Sequence, residues 1–288
     1  MVAKPILIVP LVLALAALAC SINVDLPRVN VETGPTVSED INVSLPPAST
    51  VADLEINFGA GRLEISPGAT DALVSGTATY NVSEFKPEVS VEDDKILITQ
   101  EATRFEGIPS FGDDVENRWD LEISDAPMNL RIAAGAYQGR YEFGGLSLQN
   151  LHISDGAADA EVSFSQRNLV EMETLRYETG ASSVTLTGLA NANFEEMIFR
   201  GGAGDYRLEF SGDLQREAAI EIESGLSNLV ITVPSGTAAQ LSVTGGLTNV
   251  DVGGDWKTSG SDQYTLTGEG PALTFTIDLG AGNLELRN

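Results

Sequence analysis

The chain has 288 residues, with 42 acidic against 16 basic side chains and a formal net charge of −26. Such an acidic surface repels the phosphate backbone of nucleic acids, so we exclude nucleic-acid binding. One cysteine and one histidine in the whole chain exclude disulfides, cysteine-based zinc sites and histidine clusters that bind metals.

The N-terminus has the pattern of a secretory signal peptide. Lys4 precedes an apolar run that is too short to span a membrane and ends in Ala17-Leu18-Ala19-Cys20. Small residues before a cysteine are typical of the bacterial lipobox, where the cysteine receives a diacylglycerol. We therefore predict a signal peptide at residues 1–19 and attachment of palmitate-type acyl chains at Cys20. This anchor implies an extracytoplasmic protein held on the cell membrane.

Residues 20–40 are predicted to be a tether, since the segment after Cys20 is rich in Pro, Ser and Thr. Residues 41–288 carry an internal repeat with glycine at a fixed phase. Apolar side chains lie five and three residues before each glycine. In six repeats, apolar side chains also lie four and six residues after the glycine. After Gly135 and Gly156, the corresponding apolar pair lies two residues later. The repeated glycines are Gly59, Gly135, Gly156, Gly180, Gly202, Gly225, Gly246 and Gly280.

The spacing of these glycines indicates stacked coils. From Gly135 to Gly246 they are 21, 24, 22, 23 and 21 residues apart. An antiparallel sandwich also has short alternating strands, but it does not require a fixed glycine phase. We predict an all-β fold: a single-domain β-solenoid of about eight coils, with each coil covering the apolar face of its neighbour.

Two segments depart from the period. Residues 66–129 form an insertion with hairpin-like strands, which we expect to cap one end of the stack. The final strand, residues 283–287, is expected to cap the other end. Trp119 is expected to pack the insertion against the first coil. Trp256 lies in a polar excursion before the last glycine and is expected to be exposed.

Three segments resemble the bacterial toast-rack domain. They are Tyr80–Val89, Asn117–Leu121 and Pro127–Ile132, and the corners Gly59–Leu63 and Gly280–Leu284 agree with them. The same residues are similar to the C-terminal β-domain of LiaF-like envelope-stress proteins and to the putative-adhesin β-solenoid families. The resemblance runs from about residue 40 to the C-terminus. It implies a β-solenoid of the cell envelope and supplies no catalytic residues.

Possible partner contacts lie on two exposed segments. The loop at residues 102–118 combines aromatic and acidic side chains, and long loops on rigid scaffolds often carry function. A calcium site in this loop is an alternative, although ordinary acidic loops are much commoner. His152 is predicted to face solvent without a catalytic partner. The predicted contacts are Phe105, Phe111, Asp113, Asp114, Glu116 and Trp256.

These observations favour a lipid-anchored envelope protein that acts as a non-enzymatic binding, adhesion or scaffold module. No catalytic residue, metal or cofactor is predicted, and the expected partner is another envelope protein or a surface polymer. A sensor or accessory of the envelope stress response is one alternative. A polysaccharide-active β-helix enzyme is another, but the outward row four residues before the glycines lacks the paired carboxylates that it needs.

Overall fold

The computed structural model describes residues 28–30, 33–47, 50–100, 108–110 and 114–288. These residues form 17 strands and two short 3₁₀ helices, Ser83–Phe85 and Leu189–Ala192. The strands are β1 (Arg28–Asn30), β2 (Val37–Val43), β3 (Ala52–Pro67), β4 (Val74–Tyr80), β5 (Pro87–Glu92), β6 (Lys95–Gln100), β7 (Ile108–Ser110), β8 (Asn117–Ile123), β9 (Met128–Glu142), β10 (Leu148–Ser163), β11 (Met172–Thr187), β12 (Phe194–Glu209), β13 (Ala218–Thr232), β14 (Gly236–Val252), β15 (Lys257–Thr258), β16 (Gln263–Leu266) and β17 (Gly268–Arg287).

The chain divides into two compact units. In the smaller one, β1 pairs in parallel with β7. In the larger one, eight long strands run parallel in the order β14-β17-β13-β12-β11-β10-β9-β3. Each long strand contains one repeated glycine, so a coil is one extended strand through its glycine followed by a return segment. This arrangement confirms the predicted all-β solenoid.

The repeated glycines form a column across the parallel strands. Residues on either side of each glycine pair with their counterparts in the next strand, as Thr179 with Gly201 and Ala181 with Ala203 do around Gly180 and Gly202. A Cβ atom at Gly202 would lie 2.4 Å from the carbonyl oxygen of Gly180. Real Cβ contacts are not this short, so the column requires glycine.

The apolar side chains predicted to point inward form the core. Among them only Val250 and Val252 are partly exposed. In the repeats of Gly135 and Gly156, the apolar pair lies two residues later than in the others, yet the strands keep the same register. Gly139 pairs with Leu63, and Ala160 pairs with Val184. Small residues therefore occupy the expected positions.

The last strand does not cap the stack, and this prediction was wrong. β17 lies between β13 and β14, with Ile277 paired to both Ile222 and Val243. The excursion at 253–267 gives the chain enough length to pass β14 and return beside it. The end strand is β14, and β16 pairs antiparallel with its first half.

Trp256 is buried, at 5% exposure, so the prediction that it is exposed was also wrong. Its indole Nε1 donates a hydrogen bond to the carbonyl oxygen of Arg287 at 3.1 Å. The neighbouring Asp255 amide donates to Asn288 Oδ1. The excursion packs on the C-terminal end of β17, and this packing removes the indole from solvent.

The inserted strands extend the sheet beyond β3. The first half of β3 pairs with β6, and its second half pairs with β8. β6 is followed by β5, while β8 is followed by β4 and β2. Trp119 is fully buried and its ring centroid lies 5.3 Å from that of Phe58. The insertion therefore covers the first coil, as predicted.

Candidate functional site

A groove lies on the outer face of the sheet where the β5–β6 hairpin adjoins β3. Outward side chains of β6, β3, β9 and β10 form its floor, and β5 forms its wall. Its volume is about 580 Å³, within the usual range for small-ligand sites. We call it the hairpin groove. Its outward-facing lining consists of Asp53, Glu55, Ser90, Glu92, Lys95, Leu97, Asn129, Arg131, Asn150 and His152.

An amide ladder crosses the floor of the hairpin groove. Asn129 Nδ2 donates to Asp53 Oδ1 at 2.7 Å, and Asn150 Nδ2 donates to Asn129 Oδ1 at 3.0 Å. The ladder arises because these residues occupy equivalent positions in three neighbouring parallel strands. Each side chain fixes the orientation of the next, so the polar atoms of the floor are held in place before any ligand arrives.

His152 lies next to the ladder and has a defined tautomer. Arg131 Nη1 lies 2.7 Å from His152 Nδ1, and since guanidinium has no acceptor, Nδ1 must accept the hydrogen bond. The proton then resides on Nε2, which donates to Glu178 Oε2 at 3.0 Å. The prediction that His152 faces outward is correct, but both ring nitrogens are engaged.

A ladder of charges continues from His152 along the outer face. Burial alone would raise the pKa of the Glu178 carboxyl, but hydrogen bonds from His152 and Arg176 lower it. Arg200 then lies between Glu178 at 3.8 Å and Glu223 at 3.2 Å. These side chains are partly exposed, so their ion pairs contribute little to the stability of the fold. Their main effect is to hold one another in fixed orientations on the outer face.

A second, open cavity of about 700 Å³ follows the glycine column. Beneath it lies Asp155, which is 8% exposed. Its carboxylate accepts hydrogen bonds from Tyr177 at 2.7 Å, from Ser182 at 3.3 Å and from Thr179. Burial, together with the nearby Asp155 charge, raises the pKa of Tyr177 well above its usual value. The hydroxyl donors satisfy the carboxylate, which gives the cluster a structural role.

The described part of the structure contains three of the predicted contact residues, Asp114, Glu116 and Trp256. Cys20, Phe105, Phe111 and Asp113 lie outside the described residues. Asp114 is exposed.

Glu116 is also exposed. It accepts a hydrogen bond from Thr36 at 2.9 Å, and its amide donates to Asn81. Trp256 is buried, as described above. Of these residues, Glu116 and Trp256 therefore have local arrangements that can be described on the larger unit.

Two features are absent from the described ranges, a cluster of metal ligands and a membrane-spanning helix. No three of the His, Cys, Asp and Glu side chains that the structure describes lie close enough together to hold a metal ion. Similarly, within the same residues no helix has both the length and the apolar character needed to cross a membrane.

The hairpin groove was not predicted from the sequence. The repeat phase places Asp53, Asn129 and Asn150 at equivalent outward positions, six residues before their glycines. That coincidence was a usable signal for the ladder. The wall was not visible, because the pairing of β6 with β3 lies outside the repeat.

Several solved structures are similar to the chain at low sequence identity. Among solved structures, a "putative cell adhesion protein" from Clostridium sporogenes is 18% identical, with 88% of this chain and 99% of that chain covered and a TM-score of 0.47. A "putative adhesin" from Parabacteroides merdae is 12% identical over 91% and 99%, with a TM-score of 0.39. A "putative lipid binding protein" from Parabacteroides distasonis is 10% identical over 90% and 99%, with a TM-score of 0.38.

No curated protein matches the sequence. A family model, described as the N-terminal domain of toast_rack (DUF2154), matches residues 32–187, which is more than half of the 288-residue chain. The matched region runs from just before β2 through β11, and so includes the whole hairpin groove. The chain belongs to the toast_rack family.

Proposed function

We propose that the protein is a lipid-anchored, extracytoplasmic binding module without enzymatic activity, and that the hairpin groove is its binding surface. The lipobox pattern that ends at Cys20 supports the anchor. The groove supports the binding role, because it is a concave site with polar groups converging on it. Its expected partner is a component of the cell envelope.

The observation that carries this proposal is the fixed orientation of the groove floor. The four floor strands are each paired on both sides, so their backbone cannot move aside. The amide ladder and the Arg131–His152–Glu178 chain fix the side chains on top of them. Such preorganisation lowers the entropic cost of ordering a binding surface.

The same contacts favour binding over catalysis. His152 Nδ1, the nitrogen that would accept a proton in base catalysis, already accepts from Arg131. The carboxylate of Asp53 accepts from Asn129, and that of Glu55 accepts from Asn57 at 3.0 Å. The groove thus presents donors and acceptors that are already oriented by one another.

A bulky residue on the groove wall tests the binding surface. Ser90 lies on the groove side of β5, and Val91, which is 58% exposed, lies on the opposite side of the same strand. In co-sedimentation of the purified Cys20→Ser chain, which has no acyl anchor, with isolated cell envelopes, Ser90→Trp should reduce binding at least about tenfold. The matched Val91→Trp variant should bind as the parent Cys20→Ser chain does. Equal binding by both variants would mean that the groove is not the binding surface.

A separate variant tests the anchor. In cells, Cys20→Ser should abolish incorporation of labelled palmitate and move the chain from the membrane fraction to the soluble extracytoplasmic fraction. Persistent membrane association without the thiol would contradict lipid anchoring, whatever the outcome at the groove.

A further inference from the structure

We propose that the hairpin groove binds an uncharged saccharide chain, which is recognised by side chains alone. This inference rests on the proposed function and assigns a ligand class to the same surface.

The charge of the groove favours an uncharged ligand. Its lining has three acidic side chains, Asp53, Glu55 and Glu92, and two basic ones, Lys95 and Arg131. Acids and bases therefore nearly balance here, whereas the whole chain carries a net charge of −26. A strongly cationic ligand would find more favourable sites elsewhere on the surface, and a strongly anionic one would meet the surrounding negative potential.

The polar atoms of the floor suit hydroxyl groups. The ladder offers carboxylate and amide oxygens as acceptors beside amide and guanidinium donors. A sugar hydroxyl both donates and accepts, so it can bridge neighbouring members of such a row. The ladder repeats at the strand spacing of about 4.8 Å over three strands. A ligand that repeats its hydroxyl groups, as a saccharide chain does, can contact more than one step.

The backbone of the floor excludes recognition of a peptide by strand addition. β6 is paired with β3 and β5, β3 with β6 and β9, and β10 with β9 and β11. No floor strand therefore offers a free edge, and strand addition needs one. The wall strand β5 pairs only with β6 among the described residues, so it is over the floor that ligand contacts must come from side chains.

The lining also sets the expected affinity. Among the residues that the structure describes, no Phe, Tyr or Trp lines the groove, and Leu97 is the partly exposed apolar residue on its floor. Without an aromatic platform for the sugar ring, a single chain should bind weakly, with a Kd of about 1 mM. Retention on envelopes would then depend on many proteins contacting one polymer.

Titration of the full mature chain in detergent micelles tests the ligand class. The probes are cello-, chito- and galacto-oligosaccharides of two to six sugars, measured by chemical-shift perturbation. We expect saturable binding of at least one series, weakened about tenfold or more by Asn150→Ala, which removes one end of the ladder. Glu161→Ala, on the other arm of β10, is the matched control and should leave binding unchanged.

Two outcomes would overturn the saccharide assignment. One is that none of these oligosaccharides binds while envelope co-sedimentation remains sensitive to Ser90→Trp. The groove would then be the binding surface for another class of ligand, and the proposed function would stand. The other is oligosaccharide binding that Asn150→Ala and Ser90→Trp both leave unchanged, which would locate the saccharide site elsewhere.

Discussion

Every glycine of the column except Gly59 faces the backbone of the coil beside it. The ideal Cβ positions at Gly135, Gly180 and Gly202 point at the carbonyl oxygen of the previous glycine, at distances of 2.3–2.4 Å. The atom in the way is backbone, which cannot rotate aside as a side chain can. This explains why every repeat has glycine at this position, whereas the outward-facing residues differ from one repeat to the next.

Replacing one of these glycines should therefore be costly. We expect Gly202→Ala to lower the free energy of unfolding by about 2–4 kcal/mol, measured by chemical denaturation. Gly34→Ala is the control, because its Cβ would lie 3.6 Å from the nearest atom, the carbonyl oxygen of Asn81. That change should stay within about 0.5 kcal/mol. A Gly202→Ala variant as stable as the control would show that the strands can separate at the column.

Glu142 connects the ends of two neighbouring coils. Its carboxylate accepts hydrogen bonds from the amides of Gly144 at 2.6 Å and Ser165 at 3.0 Å, and from the Ser163 hydroxyl. Burial alone would raise the pKa of this carboxyl, but the hydrogen bonds outweigh burial and lower it. The ionised form is therefore stabilised by folding.

The direction of this shift predicts a pH dependence. A lowered pKa in the folded state gives stability that is present above the pKa of the unfolded carboxyl and is lost as pH falls through the folded value. Glu142→Gln should lower the melting temperature at pH 7, and the difference from the unmodified protein should shrink as pH falls below about 4. A difference that stays constant from pH 7 to pH 3 would contradict this account.

At the scale of one element, the Tyr206 ring of β12 fills the space that a side chain at Gly201 of the same strand would occupy. Thr179 and Ser224 occupy the position before the glycine in the neighbouring strands, while β12 has Gly201 there. The Tyr206 ring fills the space, since a Cβ at Gly201 would lie 2.5 Å from its Cε2. The aromatic residue and the missing side chain form a matched pair.

This pairing predicts non-additive stability. Gly201→Ser alone should destabilise by collision with the ring, and Tyr206→Leu alone should destabilise by leaving a cavity. The double variant resembles β13, which has Ser224 and Leu229 at these positions. It should recover about 1 kcal/mol or more relative to the sum of the single changes in a double-mutant cycle. Additive effects would mean that the two positions do not share the space.

The sequence predicts which segments form strands better than it predicts which strands lie next to each other in the sheet. The glycine phase identified all eight long strands and the inward faces, because stacking requires the same pattern in every coil. It could not order β13, β14 and β17, whose patterns are equivalent and therefore fit one another in either order. The 34-residue interval before Gly280 marked an irregularity without revealing where the chain returns. The burial of Trp256 could not be predicted either, because it depends on where β17 returns: the indole hydrogen-bonds to Arg287 at the end of that strand.

At the scale of the whole molecule, the fold brings together a site that no single segment contains. The hairpin groove combines residues near 53, 90–97, 129–131 and 150–152. The part of the floor formed by β3, β9 and β10 follows from the repeat, so its ladder could be predicted from the sequence. The rest of the groove depends on the β5–β6 hairpin of the insertion pairing with the first coil, and the repeat pattern does not contain that hairpin.

The most direct test of the groove as the binding surface is photo-cross-linking in intact cells. In the full, anchored chain, a benzophenone side chain is placed at Glu88, an exposed residue on the groove face of β5 just outside the lining, or at Val91 on the opposite face of that strand, and the captured material is identified. We predict capture of an envelope polymer from Glu88, with Val91 giving only background. Equal capture from the two faces of β5, or capture from Val91 alone, would contradict this prediction.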